Sequence, residues 1–115
     1  MRTVILGIET QSGVTRRILA TAKGQPRVGD NRISFENVSE LWRVLAPKRM
    51  EIVRSMTGTG PLTIREVARR VGRDFKAVYS DITMLINAGI VERTASGKVE
   101  FPYDHVHVEF DMMAA

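Results

Sequence analysis

Basic side chains are concentrated in one part of this 115-residue chain. The densest stretch holds Arg65, Arg69, Arg70, Arg73 and Lys76. Guanidinium and ammonium groups bind phosphate oxygens, and they can also donate hydrogen bonds to a guanine edge. Residues 39–98 carry 11 basic and 6 acidic side chains, whereas residues 99–115 carry 4 acidic side chains and no Lys or Arg. This asymmetry indicates that residues 39–98 bind a polyanion and that residues 99–115 stay away from it. A chance distribution of charge over a solvated surface gives the same pattern.

Residue types suited to catalysis are scarce. The absence of Cys excludes disulfides, thiol nucleophiles and Cys-ligated zinc. Neither a Ser-His-Asp spacing nor a phosphate-binding glycine loop occurs. On a strand, His105, His107 and Glu109 would share one face, close to Asp104 and Asp111, which is a geometry open to a metal ion. A polar outer face on a half-buried strand is the simpler interpretation, so we expect no enzymatic activity, no cofactor and no metal.

The composition is that of a globular protein, with 43% hydrophobic and 26% charged residues. The longest apolar run, Val4–Ile8, is too short for a membrane span or for a signal-peptide core. We therefore expect a cytoplasmic protein that does not enter a membrane.

Three segments follow from the hydrophobic pattern. Residues 1–36 predict a strand-helix-strand unit for dimerisation, with strands at Thr3–Glu9 and Arg32–Glu36 and a helix at Gln11–Lys23. Residues 37–101 are predicted to be mostly helical, and residues 102–115 to form a last strand, His105–Asp111, and an acidic tail.

Capping residues delimit the helices of the middle segment. Asn37 or Ser39 can cap a helix that ends at Ala46, and Pro47 opens the next, which runs to about Thr57. Thr63-Ile-Arg-Glu66 is a capping box for a helix that stops at Gly72. Asp74 can cap a last helix that runs to about Ala88, before Gly89.

Apolar residues at helical spacing predict which side chains these helices bury. The predicted stripes are Leu41, Trp42, Leu45, Met50, Ile52, Val53, Met56, Ile64, Val67, Ala68, Val71, Phe75, Val78, Ile82, Leu85 and Ile86. We expect Ile90 and Val91 to join this core. Between Ile90 and Phe101, two short strands flank the turn Ala95-Ser-Gly-Lys98 and predict a hairpin.

The order helix, tight turn, helix, Gly and hairpin predicts an α+β fold, a winged helix-turn-helix with an N-terminal strand-helix-strand extension and a C-terminal strand. A helix fits the major groove, where its outward N-terminal residues meet base edges. With Phe75, Val78 and Ile82 buried, the base-facing set is Lys76, Ala77, Tyr79, Ser80 and Thr83. The set predicted to contact the DNA backbone is Arg65, Arg69, Arg70, Arg73, Arg93 and Lys98.

Simpler roles for some of these side chains stay open. Arg69 and Arg70 can merely stabilise a helix C-terminus. Tyr79 can lie half-buried against the hairpin, and Lys98 can serve solubility alone. Asp81 lies on the same helix and argues mildly against a phosphate-facing surface there.

Several motifs add a family resemblance. They are Ile33-Ser-Phe-Glu36, Leu41 to Leu45, Pro47-Lys-Arg49, Ile64-Arg-Glu-Val-Ala-Arg69, Gly72-Arg-Asp74, Lys76-Ala-Val78, Asp81, Tyr103-Asp104 and Val106-His-Val-Glu-Phe-Asp111. In these motifs the chain resembles a family of small prokaryotic predicted transcriptional regulators, loosely related to the MarR and ArsR winged-helix proteins. The resemblance implies dimers that bind operator DNA and, for some members, an antitoxin encoded beside a small toxin. It places base-facing positions at Asp74, Lys76, Ala77, Tyr79 and Ser80, with an acid at Asp74 where Ser is more usual.

The expected partners are therefore double-stranded DNA and a second copy of the chain. Sheet edges at the N-terminal and C-terminal strands could build the homodimer or hold another protein, such as a toxin. A protein-interaction module is the main alternative function. A small-ligand sensor is a further one, with Trp42, Met50, Met56 and Met84 lining a cavity, although such a stripe is more often plain core.

Overall fold

The computed structural model describes residues 2–8 and 30–111, and over these residues the chain is an α+β protein. Its helices are α1 (Val38–Val44), α2 (Pro47–Met56), α3 (Ile64–Val71) and α4 (Phe75–Asn87). Its strands are β1 (Thr3–Ile8), β2 (Asp30–Phe35), β3 (Glu92–Arg93), β4 (Val99–Glu100) and β5 (His105–Glu109). The predicted helix Gln11–Lys23 lies outside the described residues. Among the helices described, none is long and apolar enough to cross a membrane.

The helices begin at the capping residues that the sequence indicates. Asn37, rather than Ser39, caps α1, because its Oδ1 accepts from the Glu40 N–H at 2.8 Å. Thr63 Oγ1 accepts from the Glu66 N–H at 3.1 Å, which confirms half of the capping box. The other half is wrong, because the Glu66 carboxylate accepts from Arg69 and Arg70 instead of reaching back.

A three-stranded parallel sheet has the order β2-β1-β5. Leu6 of β1 lies opposite Ile33 of β2 and Val108 of β5. The prediction that the N-terminal strand offers a sheet edge is therefore wrong, since β1 is the central strand. Its continuous apolar run fits this position, because strands inside a parallel sheet are buried on both faces.

One hydrophobic core joins this sheet to the helices. Most of the residues predicted for the core are buried, whereas Ile64, Val71 and Ile86 are half-buried. Three residues of the predicted stripes are exposed: Trp42 (46%), Met50 (37%) and Phe75 (37%). Neighbouring side chains fill the interior in their place, such as Val44 in α1, which is 2% exposed.

The strands β3 and β4 form the predicted hairpin, although each is only two residues long. Its position is fixed by Leu62, just before α3. Leu62 and Val99 exchange both backbone hydrogen bonds, each at 2.8 Å. The hairpin is thereby fastened to the chain that leads into α3, a contact that the sequence pattern did not reveal.

Candidate functional site

A short turn joins α3 to α4. Gly72 ends α3 in the left-handed conformation, with a φ of +67°, which glycine adopts without strain. The Arg73 N–H donates to Ala68 O at 3.1 Å, and Asp74 Oδ2 accepts from the Ala77 N–H at 3.2 Å. The turn therefore satisfies backbone groups at both helix ends and fixes the direction in which α4 leaves it.

The N-terminal half of α4 presents its polar face to solvent. Val78, Ile82 and Leu85 are fully buried on the opposite side. Of the side chains predicted to face bases, the exposed ones are Asp74, which caps the helix, and Lys76, Ala77, Tyr79 and Ser80. Thr83 is only half-exposed, and its hydroxyl donates to the Tyr79 carbonyl of the same helix at 2.9 Å.

Two aromatic rings and an arginine line one flank of α4. The Arg65 guanidinium carbon lies 4.8 Å from the centre of the Phe75 ring, and the Phe75 and Tyr79 rings are 6.0 Å apart. This contact explains why Phe75 is not in the core, because a cation over an aromatic face stabilises an exposed ring. Tyr79 is 45% exposed. The stack holds Arg65 beside the outward face of α4.

Asp81, also on α4, turns away from that face. Its Oδ1 accepts from Arg49 at 3.1 Å, and its Oδ2 lies 2.9 Å from Arg73 Nη2. Only 14% of the Asp81 side chain is exposed, against 16% for Arg49 and 23% for Arg73. Arg49 also donates to the Val44 carbonyl at 2.7 Å. The cluster of Arg49, Arg73 and Asp81 thus ties α4 to α2 and to the end of α1, and it occupies an arginine that the sequence assigns to the DNA backbone.

Glu66 forms the corresponding contacts at the surface of α3. Its carboxylate accepts from Arg69 Nη2 at 2.5 Å and lies 3.2 Å from Arg70 Nε. These hydrogen bonds, from Arg69 first and then Arg70, lower the Glu66 pKa from its ordinary 4.5 to about 2. Arg69 is the more exposed arginine, at 72% of its side chain. Both stay at the surface, where an anion can reach them.

A hollow of about 510 Å³ lies at the surface between the start of α2 and α4. The residues that line it include Lys48, Arg49, Arg73, Ala77 and Ser80. Lys48 and Arg49 therefore join the predicted residues Ala77 and Ser80 at one place. Sequence reasoning missed both, because they lie far before α4 in the chain and belong to a different helix.

A larger groove, of about 750 Å³, runs between α1, the end of β2 and the second half of α4. Thr83 and Met84 line it on one side, and Arg43 and Glu40 on the other. Met84 is the one residue of the predicted ligand cavity that lines this groove, since Met56 is fully buried and Trp42 packs elsewhere. The four residues suggested for a ligand cavity are thus not brought together.

On the hairpin, Arg93 and Lys98 are both exposed. The Lys98 N–H donates to Thr94 Oγ1 at 3.2 Å, and the Thr94 N–H donates to Lys98 O at 2.9 Å. The tip is therefore held by hydrogen bonds within the turn, and Lys98 is left exposed to solvent.

One histidine of β5 lies next to a carboxylate of the same strand, and that carboxylate also binds an arginine across the sheet. His107 Nε2 lies 3.3 Å from Glu109 Oε2, and Arg32 of β2 donates to Glu109 Oε1 at 2.8 Å. Over residues 2–8 and 30–111, the structure gathers no group of three residues that could hold a metal ion.

Comparison with known proteins places the chain in a family. The family model HVO_A0114 matches residues 44–108, which is more than half of the chain and spans α2 to α4, the hairpin and most of β5. The chain therefore belongs to the HVO_A0114 family. A search among curated proteins found no match.

Proposed function

We propose that this member of the HVO_A0114 family is a sequence-specific DNA-binding transcription regulator, most simply a dimeric autorepressor. In this proposal α2, α3, α4 and the β3–β4 hairpin act as a winged helix-turn-helix of the MarR and ArsR type. The observation that carries it is the exposed N-terminal half of α4, on which Lys76, Tyr79 and Ser80 point outward while Asp81 is turned into the protein.

Each outward side chain has a counterpart in the major groove. Lys76 can donate to guanine O6 and N7, and the Ala77 methyl group is small enough to meet a thymine methyl group. Tyr79 and Ser80 carry hydroxyl groups that can donate to a base or to a phosphate. Thr83 contributes less in this proposal, because it lies at the edge of the groove beside α1.

Basic residues surround this face and fit the phosphates on either side of it. Arg65, Arg69 and Arg70 lie on α3, whereas Lys48 lies at the start of α2. Arg93 and Lys98 extend the basic surface along the hairpin, which would meet the adjacent backbone or minor groove. Arg73 has a different role in the proposal, since its contact with Asp81 makes it a support for α4.

The test is fluorescence anisotropy with labelled DNA from upstream of the protein's own gene, against shuffled DNA of equal length, at several salt concentrations. A regulator binds the upstream DNA more tightly, and keeps that preference when salt weakens both complexes. Equal and weak binding to both DNAs would contradict the proposal. The result would then favour the alternative function, which is an antitoxin or another interaction module whose main partner is a protein.

A further inference from the structure

The outer strand of the sheet, β5, has an unusual distribution of charge. Its sequence and the two residues that follow read His105-Val-His-Val-Glu-Phe-Asp111. The two histidines occupy the first half and the two carboxylates the second half, while apolar residues alternate with them throughout. Such a segment is complementary to itself when two copies run in opposite directions.

Over residues 2–8 and 30–111, one side of the β5 backbone has no neighbouring strand. The His105 N–H donates to Arg2 O, beside β1, at 3.2 Å. Along a parallel strand every second residue bonds to the same neighbour, so Val106 and Val108 direct their N–H and C=O groups away from β1. Among the described strands none lies on that side, because the sheet order is β2-β1-β5.

We infer that β5 pairs antiparallel with β5 of a second copy of the chain, with Val108 on the two-fold axis. In this register His107 lies opposite Glu109, and His105 lies opposite Asp111. Val106 lies opposite Phe110 of the second copy, and the Val108 residues of the two copies lie opposite each other. Two three-stranded sheets thereby become one six-stranded sheet, which removes an exposed edge from each copy.

The chemistry of the facing pairs selects this register. An imidazole N–H donates to a carboxylate oxygen, and apolar pairs fill the other face, so every position has a suitable partner. With His107 on the axis instead, His107 would face itself and Asp104 would face Phe110. His107 and Glu109 already lie 3.3 Å apart within one chain, so the pairing replaces this contact by an equivalent one between chains.

A pair of aromatic rings lies beside the same edge. Trp42 packs edge-on against Phe110, with ring centres 5.4 Å apart, although 46% of Trp42 is exposed. In the paired sheet Phe110 meets Val106 of the second copy, and Trp42 is brought close to that contact. Pairing therefore buries more of Trp42, a large apolar side chain that is partly exposed to solvent in the single chain.

The inference deepens the dimeric part of the proposed function, and its test uses the protein without DNA, so that its failure is distinguishable from a failure to bind DNA. Sedimentation equilibrium of the wild-type protein over a range of concentrations gives the mass directly. We expect a dimer whose dissociation constant rises about tenfold or more in His105→Glu, since that change replaces two attractive pairs by two repulsive ones. A wild-type protein that stays monomeric, or a His105→Glu variant that dimerises as tightly as the wild type, would overturn the inference.

Charge exchange between chains tests the register itself. Asp111→Lys should weaken the homodimer as well, because the introduced ammonium group would face the imidazole of His105. An equimolar mixture of the His105→Glu and Asp111→Lys proteins should recover a dimer of one chain of each kind, in which the introduced carboxylate faces the introduced ammonium group. Circular dichroism of each variant must match the wild type. Two folded variants that do not combine would overturn the Val108-centred register.

The only tryptophan of the chain provides a second measurement on the unmodified protein. Upon dilution through the dissociation constant, the emission of Trp42 should shift to longer wavelength, because the edge beside it returns to solvent. In hydrogen exchange, the Val108 amide should lose protection over the same concentration range. Emission and exchange that do not change across a measured dissociation would place the interface elsewhere and overturn the inference.

Discussion

Two carboxylates in this protein each face two arginines, one in the interior and one at the surface. Asp81 joins Arg49 and Arg73 where α4 meets α2, and its side chain is 14% exposed. Glu66 joins Arg69 and Arg70 on α3, where the side chain of Arg69 is 72% exposed. The same chemical pairing therefore occurs in two different environments within one small region.

The difference in burial assigns different roles to the two groups. Water and salt weaken the Glu66 contacts, so an anion such as a phosphate can compete for their arginines at little cost. The Asp81 contacts are largely withdrawn from solvent, so the loss of the carboxylate leaves two mostly buried guanidinium groups without their counter-charge. The interior group holds the helix proposed to read DNA, and the surface group supplies arginines to the proposed interface.

The largest expected effect is on the free energy of unfolding, and it comes from removing Asp81, the carboxylate of the interior group. Asp81→Ala should lower the free energy of unfolding by about 3 kcal/mol, because two mostly buried arginines lose their carboxylate. Urea denaturation followed by circular dichroism measures this change. Glu66→Ala is the matched control and should have a much smaller effect. Equal losses in the two variants would remove the distinction between the two groups.

A smaller effect, on DNA affinity, is expected from Arg70 in the surface group. Arg70→Ala should weaken binding to upstream and shuffled DNA by the same factor, because a phosphate contact carries no base information. The slope of log K against log salt should become smaller in magnitude by about one unit. Anisotropy titrations over a series of salt concentrations measure both quantities. A loss confined to the upstream DNA would instead make Arg70 a base-reading residue.

Glu66→Gln should raise DNA affinity, whereas Arg70→Ala should lower it. Removing the negative charge releases Arg69 and Arg70 from their ion pairs, so binding to both DNAs should strengthen at low salt and the salt slope should steepen. The same titrations measure the change, with Glu51→Gln on α2 as a control of equal charge. A gain of the same size in the control would mean that net charge, and not the two arginines, controls the affinity.

The smallest effect concerns pH and stability. The lowered pKa of Glu66, about 2 in the folded protein against an ordinary 4.5, means that its contacts stabilise the fold at a pH above about 4.5. This contribution is lost as the pH falls toward 2, and surface exposure keeps it small. Thermal midpoints of wild type and Glu66→Gln, measured from neutral pH down to that value, should differ at the upper end and converge at the lower. A difference that persists at the acidic end would contradict this assignment.

Local signals in the sequence predict much of the fold. Thr63, Asp74 and Gly72 fix helix ends through contacts within a few residues, so their roles can be read from their neighbours alone. The alternation in β5 likewise predicts a strand. The exposed α4 residues Lys76 and Tyr79 follow from helical spacing once the buried stripe is known.

Contacts between distant segments could not be predicted in this way. The central position of β1 depends on pairing with β5, at the opposite end of the chain. Arg49 and Asp81 are 32 residues apart, and no local pattern links them. Trp42 has helical spacing but lies outside the core, because Phe110, from the end of the chain, offers it a place at the sheet edge.

The central claim is that α4 reads DNA sequence, and Lys76→Ala tests it most directly. The variant should bind the upstream DNA more weakly by about 1–3 kcal/mol, as expected for the loss of a paired contact to guanine. Binding to shuffled DNA should change much less. Arg54→Ala, an exposed cation near the far end of α2, is the matched control and should leave the preference for upstream DNA intact. Lys76→Ala protein that discriminates between the two DNAs as well as the wild type would contradict the claim.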